Sequence, residues 1–357
     1  SVEIFPYYNE FIPGPDTTSE IFAKNIIKAV EKTEKQDDYY QITPDKIVIL
    51  SMNYQTMSEL MAAKWFEQFD TYLKSLPDSR IKTGTIDEYR KNQDIKVPAY
   101  IPTAMNRMLD NWCGYLVRDR NRTSFKNTVY NFMDNYKSCR NLYNRITYMT
   151  ILINQFKKDK MRKKAAREML LEAQDGCAVL CTMNGPYANT MHRQNAYRSL
   201  ITAEKFIRDS GKFTENISRF DYTNDGINEY ICSMQSYFAY VSLLGGAVQE
   251  LDVMKNCGNY ADNLNRVFEY DGADDNYNRG LFIDHLFGND QFDRYINGEA
   301  AGDGVFSRIY YKEVKLSASR KELQLLAEAE YKPTNQKVSL RKKYIFNPQT
   351  LEYEEFH

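Results

Sequence analysis

Apolar positions along the chain follow two different periods, and the change between them divides it. Residues 17–33 carry Ile21, Phe22, Ile26, Ile27 and Val30 on one helical face, with Asp16, Thr17, Thr18 and Ser19 available as caps. A continuous apolar run at 46–50 (Lys46-Ile47-Val48-Ile49-Leu50) predicts a buried parallel strand. One helix is expected over 57–76, with Leu60, Met61, Trp65, Phe69, Tyr72 and Leu73 on its stripe, and a short strand over 80–85. Helical spacing then dominates, predicting helices at 104–117, 124–156, 161–173 and 194–210. From Phe213 the period becomes two, with strands expected at 229–234, 237–242, 247–251, 305–316 and 337–346. Turn signals at Asn224-Asp225-Gly226 and Gly245-Gly246 separate some of them. Three domains are therefore expected: an α/β segment over 1–95, a helical bundle over 96–212 and a β-sandwich over 213–357.

Composition narrows the functional classes. The 47 Lys and Arg against 48 Asp and Glu leave a net charge of −1 in 357 residues. Nucleic acid is thus not an expected partner, because phosphate binding needs a basic excess. The 43% hydrophobic content supplies an ample core and excludes a disordered chain. No apolar run reaches the roughly 18 residues of a membrane span, so no membrane partner is expected. Six dilute cysteines and the absence of a signal-peptide pattern in residues 1–14 point to a cytoplasmic protein with reduced thiols. Among 28 tyrosines, the pairs Tyr7-Tyr8, Tyr39-Tyr40 and Tyr310-Tyr311 each turn one ring outward where the backbone is extended. Such rings suit both interfaces and sugars.

Little of the sequence advertises chemistry outright. Asp221, Asp225 and Glu229 sit in an Asp-Gly loop rich in hard oxygen ligands, which makes them the candidate metal ligands, with calcium the ion they would take. Their spacing departs from an EF-hand, and a polar turn is the competing assignment. No cofactor is otherwise expected, since phosphate-loop and dinucleotide fingerprints are absent. Cys177 and Cys181 with His192 make a poor zinc set, and the basic run at 157–167 reads as a solvated helix start. With three histidines and no G-x-S-x-G elbow, Ser/His/Asp catalysis has no support.

Several colinear strings nevertheless resemble glycoside hydrolase family 57, the α-amylase and 4-α-glucanotransferase group. They are VPAYIPT at 97–103, TVYNFMDNY at 128–136, EMLLEAQ at 168–174, AYRSLITAE at 196–204, DYTNDGINE at 221–229, GGAVQELD at 245–252 and FIDH at 282–285. The resemblance implies an α/β barrel remnant, lacking the first half of the catalytic barrel, followed by a helical bundle and an antiparallel β-sandwich ending early. It also implies double-displacement chemistry on α-glucans, with one nucleophilic carboxylate and a second as acid/base. The family's acid/base Asp follows a strand, and the matching loop here reads Ser51-Met52-Asn53, so no catalytic residue is assigned. Ala173-Gln174-Asp175-Gly176-Cys177 replaces a substrate-contacting string and lacks its Trp and His. Trp112, Gln174 and Tyr187 remain as the substrate-binding candidates.

The expected function is accordingly a catalytically inactive relative that retains α-glucan binding or a scaffolding role. The alternatives are an assembly protein that reuses the fold without sugar, and an active transferase whose catalytic residues lie upstream or on another chain. An open barrel edge would call for self-association or a partner chain.

Overall fold

The structure, a computed structural model, describes residues 13–14, 16–34, 48–50, 52–76, 83–91, 133, 137–157, 159–180, 190–209, 211, 213–262, 265, 275, 277–286, 289–297, 304–331 and 334–356. The chain divides into two compact units, residues 1–101 and 102–357. The described helices and sheets after the boundary belong to the second unit.

The described part of the first unit is helical. Helix α1 (Ser19–Glu34) buries Phe22, Ala23 and Ile26. Residues 57–76, expected as one helix, form two: α2 (Tyr54–Ala62) and α3 (Trp65–Ser75), broken by a left-handed Lys64 at φ 54°. The reason lies in the phase of the apolar residues. At 3.6 residues per turn, an unbroken helix would put Leu60 about 180° away from Phe69. The break lets Leu60 join Trp65, Phe69 and Leu73 in one core. Trp65 stacks on Phe69 at 5.0 Å, meets Phe22 edge-on at 5.4 Å and donates its indole N–H to the Thr17 carbonyl at 2.8 Å.

Neither strand expected in this unit is present among its described residues. Residues 48–50 make no ladder, and Val48 and Leu50 instead pack onto the helical core. Residues 83–85 lead into α4 (Ile86–Lys91) through a capping box. In it the Thr85 hydroxyl accepts from the Glu88 amide at 3.2 Å, and the Glu88 carboxylate accepts from the Thr85 amide at 2.9 Å.

The second unit is layered. Helices α5 (Lys137–Gln155), α6 (Lys160–Ala173), α7 (Gly176–Leu180) and α8 (Thr190–Arg208) form the first layer. On α5 the buried residues Cys139, Leu142, Ile146, Met149 and Ile153 repeat at three and four, and they meet Leu170 of α6 and Leu200 of α8. Asp159 starts α6 by accepting from the Met161 and Arg162 amides at 2.9 and 3.1 Å.

The second layer is a five-stranded antiparallel sheet in chain order, β1 (Asn216–Phe220), β2 (Glu229–Ser233), β3 (Tyr237–Val241), β4 (Val248–Val253) and β5 (Gly258–Asn259). Helix α9 (Asn289–Ile296) and a 3-10 turn at Val305–Ser307 follow. The third layer is a four-stranded antiparallel sheet of β6 (Lys312–Ser317), β7 (Glu322–Tyr331), β8 (Gln336–Phe346) and β9 (Leu351–Phe356). The expected strand at 305–316 therefore becomes a ladder only from Lys312 onward, with Tyr310 making an isolated antiparallel bridge to Leu244.

Alternation along β3 shows how the layers meet. Tyr237, Ala239 and Val241 join Leu323, Leu325 and Tyr344 in the core between the sheets, while Phe238 and Tyr240 join Ile201 of α8 on the other face. A bulge sets the phase of β4: Val241 pairs with Val248 and Tyr240 with Glu250, leaving Gln249 as the extra residue. Val248 and Leu251 consequently join the core between the sheets, while Glu250 and Asp252 meet a helical arginine. No helix among the described residues is long and apolar enough to cross a membrane.

Candidate functional site

The residues singled out by sequence fall in separate places. In the first unit, Asn53 is the N-cap of α2, its side-chain oxygen accepting from the Thr56 amide at 2.7 Å. Met52 is half-buried against the aromatic core. The next carboxylate, Glu59, lies exposed on α2 and accepts from the Gln55 side-chain amide at 3.1 Å. In the second unit Gln174 is exposed at the end of α6, while Ser51, Trp112 and Tyr187 lie outside the described residues.

The Asp-Gly loop between β1 and β2 is built from its own carboxylates. Asp221 accepts from the Asp225 and Gly226 amides at 3.0 Å each, and Asp225 from the Ile227 amide at 2.8 Å. Glu229 turns to the opposite end of the loop, accepting from the Tyr222 amide and the Thr223 hydroxyl, both at 2.8 Å. Among the described residues no group of three or more His, Cys, Asp and Glu is arranged to hold a metal.

A cleft of about 190 Å³ opens beside this loop. Lys137, Arg140 and Asn141 of α5 form one wall. Thr223, Asp225, Ile227 and Glu229 form another, and Tyr240, Ser242, Leu243 and Leu244 line it from β3 and the following turn. Asn278 and Tyr310 complete it. The Arg140 guanidinium ties helix to loop by donating to the Thr223 carbonyl at 2.9 Å. Tyr310 is 54% exposed while its neighbour Tyr311 is buried, which is the division expected of that tyrosine pair.

Glu229 gives the cleft a titratable group. It is buried, and that burial, reinforced by the charge of Asp225, raises its pKa above the usual carboxylate value despite the bonds from Thr223 and Tyr222. Such a carboxyl retains its proton to higher pH than an exposed one, so it is able to donate as well as accept a hydrogen bond.

Tyr222 connects this carboxyl to a second, deeper set of charges. Its amide serves Glu229, and its hydroxyl donates to Glu250 at 2.9 Å. Arg145 of α5 lies fully buried among Glu204 of α8, Glu250 at 2.9 Å and Asp252 at 2.8 Å, with its guanidinium 4.0 Å from the Phe238 ring centroid. Glu204 also pairs with Arg208 at 2.5 Å. Burial, and then the neighbouring Asp252, push the Glu250 pKa well up, and burial raises Asp252 as well. Burial also raises Glu204, yet Arg208 and Arg145 outweigh it and leave its pKa low. Arg208 and Arg145 together thus hold Glu204 ionised while Glu250, facing Arg145 beside Asp252, favours its neutral form.

Sequence reasoning named Asp225 and Glu229 but missed Arg140, Asn141, Asn278 and the inward-facing Tyr240. Arg140 and Thr223 are 83 residues apart, and the strings around them carry no local signal of a shared wall.

No known protein-family pattern matches the sequence, and no curated protein matches it. Among solved structures, the 4-alpha-glucanotransferase from Thermococcus litoralis superposes with a TM-score of 0.60 at 16% sequence identity. The match covers 91% of this chain and 54% of that one, so this chain spans about half the length of the enzyme it matches. At that identity the likeness is one of architecture: the chain has a fold like that of this 4-alpha-glucanotransferase over the stretch that superposes.

Proposed function

We propose that this protein binds α-glucan on a family 57-like fold and does not turn it over. One observation carries the second half of that statement. Where the resemblance puts the acid/base carboxylate, the chain has Ser51-Met52-Asn53, none of them an acid, and the Asn53 amide oxygen is engaged in capping α2 at 2.7 Å. An amide has no proton to exchange near working pH, so it cannot act as the acid or the base of a double displacement. Glu59 is six residues further along, exposed, and bonded to its own helix. The glucan half is supported by the fold likeness to a 4-alpha-glucanotransferase.

The test combines turnover with retention. Incubated with maltoheptaose, the protein is expected to leave the chain-length distribution unchanged. It is also expected to be retained on amylose resin and released by soluble maltodextrin. New chain lengths would restore the enzyme reading. Free passage through the resin, together with a defined oligomer, would replace glucan binding by assembly.

A further inference from the structure

The charges buried between the helices and the five-stranded sheet do not balance. Arg145 of α5 and Arg208 of α8 supply two positive charges, while Glu204, Glu250 and Asp252 supply three negative ones when ionised. The side chains of Arg145, Glu250 and Asp252 are 1% exposed or less, so water is not at hand to carry the difference.

Neighbouring groups do not carry it either. Tyr148 of α5, Tyr197 of α8, Tyr222 of the β1–β2 loop and Tyr240 of β3 face the cluster, and burial raises the pKa of each, so they stay neutral. Arg193, further along α8, is matched by Asp262 at 3.2 Å. Glu229 of β2 binds the Tyr222 amide and the Thr223 hydroxyl instead. With all three acids ionised, the cluster would hold one uncompensated negative charge.

The hydrogen bonds show where a proton is missing. Both Glu204 oxygens are taken, one by Arg208 at 2.8 Å and the other by Arg145. Arg145 aims its Nε hydrogen at Asp252 Oδ2 at 3.0 Å. Glu250 Oε1 lies 2.9 Å from the same nitrogen and receives no hydrogen bond from it. Asp252 Oδ1 is likewise without a donor among the described residues. The two residues are two apart on β4, on one face of the sheet, with their carboxyls within hydrogen-bonding reach of each other. Two such acceptors are both satisfied by a single hydrogen between them.

We infer that Glu250 and Asp252 share one proton, Glu250 Oε1–H donating to Asp252 Oδ1, and that this proton is a switch on the joint between the helices and the sheet. With it the cluster is neutral, and Arg145 clasps β4 to α5 and α8. Without it two carboxylates face each other beside one guanidinium, and the joint opens to admit water. Opened carboxyls titrate as exposed ones do, so above about pH 4.3 each opening releases the proton. The joint therefore loosens as pH rises, until the closed pair itself deprotonates.

Hydrogen exchange of the full chain counts that proton, read at amides of α8 and β4 and corrected for the intrinsic pH dependence of exchange. Above about pH 5, opening should become about tenfold more frequent per pH unit, the slope of one released proton. Glu250→Gln and Asp252→Asn each replace the shared hydrogen by an amide N–H, so each should lower the slope by one proton. The double variant leaves two arginines facing one acid and should open more readily than either single variant. A slope unchanged in both single variants would mean that both carboxyls are ionised, and would overturn the inference. A slope lowered in one of them alone would assign the proton to that residue and overturn the sharing. Should the variants fail to fold, infrared spectra at about pH 6, where exposed carboxyls are ionised, read the proton directly. A protonated-carboxyl band that persists in Glu229→Gln is expected, and its absence would overturn the switch.

Discussion

The two faces of the five-stranded sheet solve the same burial problem with opposite chemistry. Toward the second sheet, Tyr230, Cys232, Ala239, Val241 and Val248 meet Leu323, Leu325 and Phe346, in a core that is almost wholly apolar or tyrosine. Its buried cation, Lys342, is held by Asp284 at 2.5 Å and by the Phe282 and Gly245 carbonyls at 2.6 and 2.9 Å. Toward the helices, Phe238 and Tyr240 share the face with Glu250 and Asp252, which hold Arg145. An apolar face tolerates adjustment, since neighbouring side chains relax into a lost volume. A charged face does not, because removing one partner leaves the remaining buried charges and polar atoms uncompensated and out of reach of water.

The sharpest way to break this comparison is Arg145→Met. It should destabilise the second unit by about 3–5 kcal/mol in urea unfolding, because the buried Glu250 and Asp252 lose their cation and Glu204 keeps only Arg208. Adding Glu250→Gln and Asp252→Asn should recover part of the loss, and no recovery would refute the charge argument. Leu323→Ala on the apolar side should cost about 2–5 kcal/mol, with the spread set by how far the core collapses.

Next in size comes a pH effect. Glu250 has a raised pKa in the folded protein, so the folded state holds its proton more tightly than the unfolded chain does. Its contribution is complete below an unfolded value of about 4.3 and is lost as pH rises through the folded value. Glu250→Gln should therefore gain on the parent between pH 4 and 7, as read from urea midpoints. A constant offset over that range would show that Glu250 does not titrate as described. The smallest expected change is Tyr222→Phe, which removes one hydrogen bond to Glu250 and should cost about 1 kcal/mol in the same unfolding experiment.

How much of this was legible in the sequence depends on how local the signal was. The stripe on α5 and the doubly apolar strands β2 and β3 can be read directly, since burial on one helical face or on both sheet faces writes its own period. Strand β7 could not be, because Glu322–Tyr331 is rich in Leu, Ala and Glu, which favour helix until neighbouring strands claim them. The bulge at Gln249 misleads in another way: strict alternation would place Val248 on the same face as Glu250 and Asp252. At 46–50 the apolar run was visible, and its described residues Val48 and Leu50 pack on a helical core. The cleft was half visible, through Asp225 and Glu229. Its remaining walls come from α5, Asn278 and Tyr310, which only the tertiary fold brings to one place.

Tyr222 contributes its backbone to one feature and its side chain to another. The Glu229 carboxyl takes an amide hydrogen that any residue except proline supplies, whereas Glu250 takes a hydroxyl that few residues place there. Over evolutionary drift the two features are therefore separable. Substitutions at position 222 can retune or dismantle the buried charges while the acid beside the cleft keeps its anchor. A lineage is thus free to exchange stability for acid tolerance without renegotiating what the cleft holds.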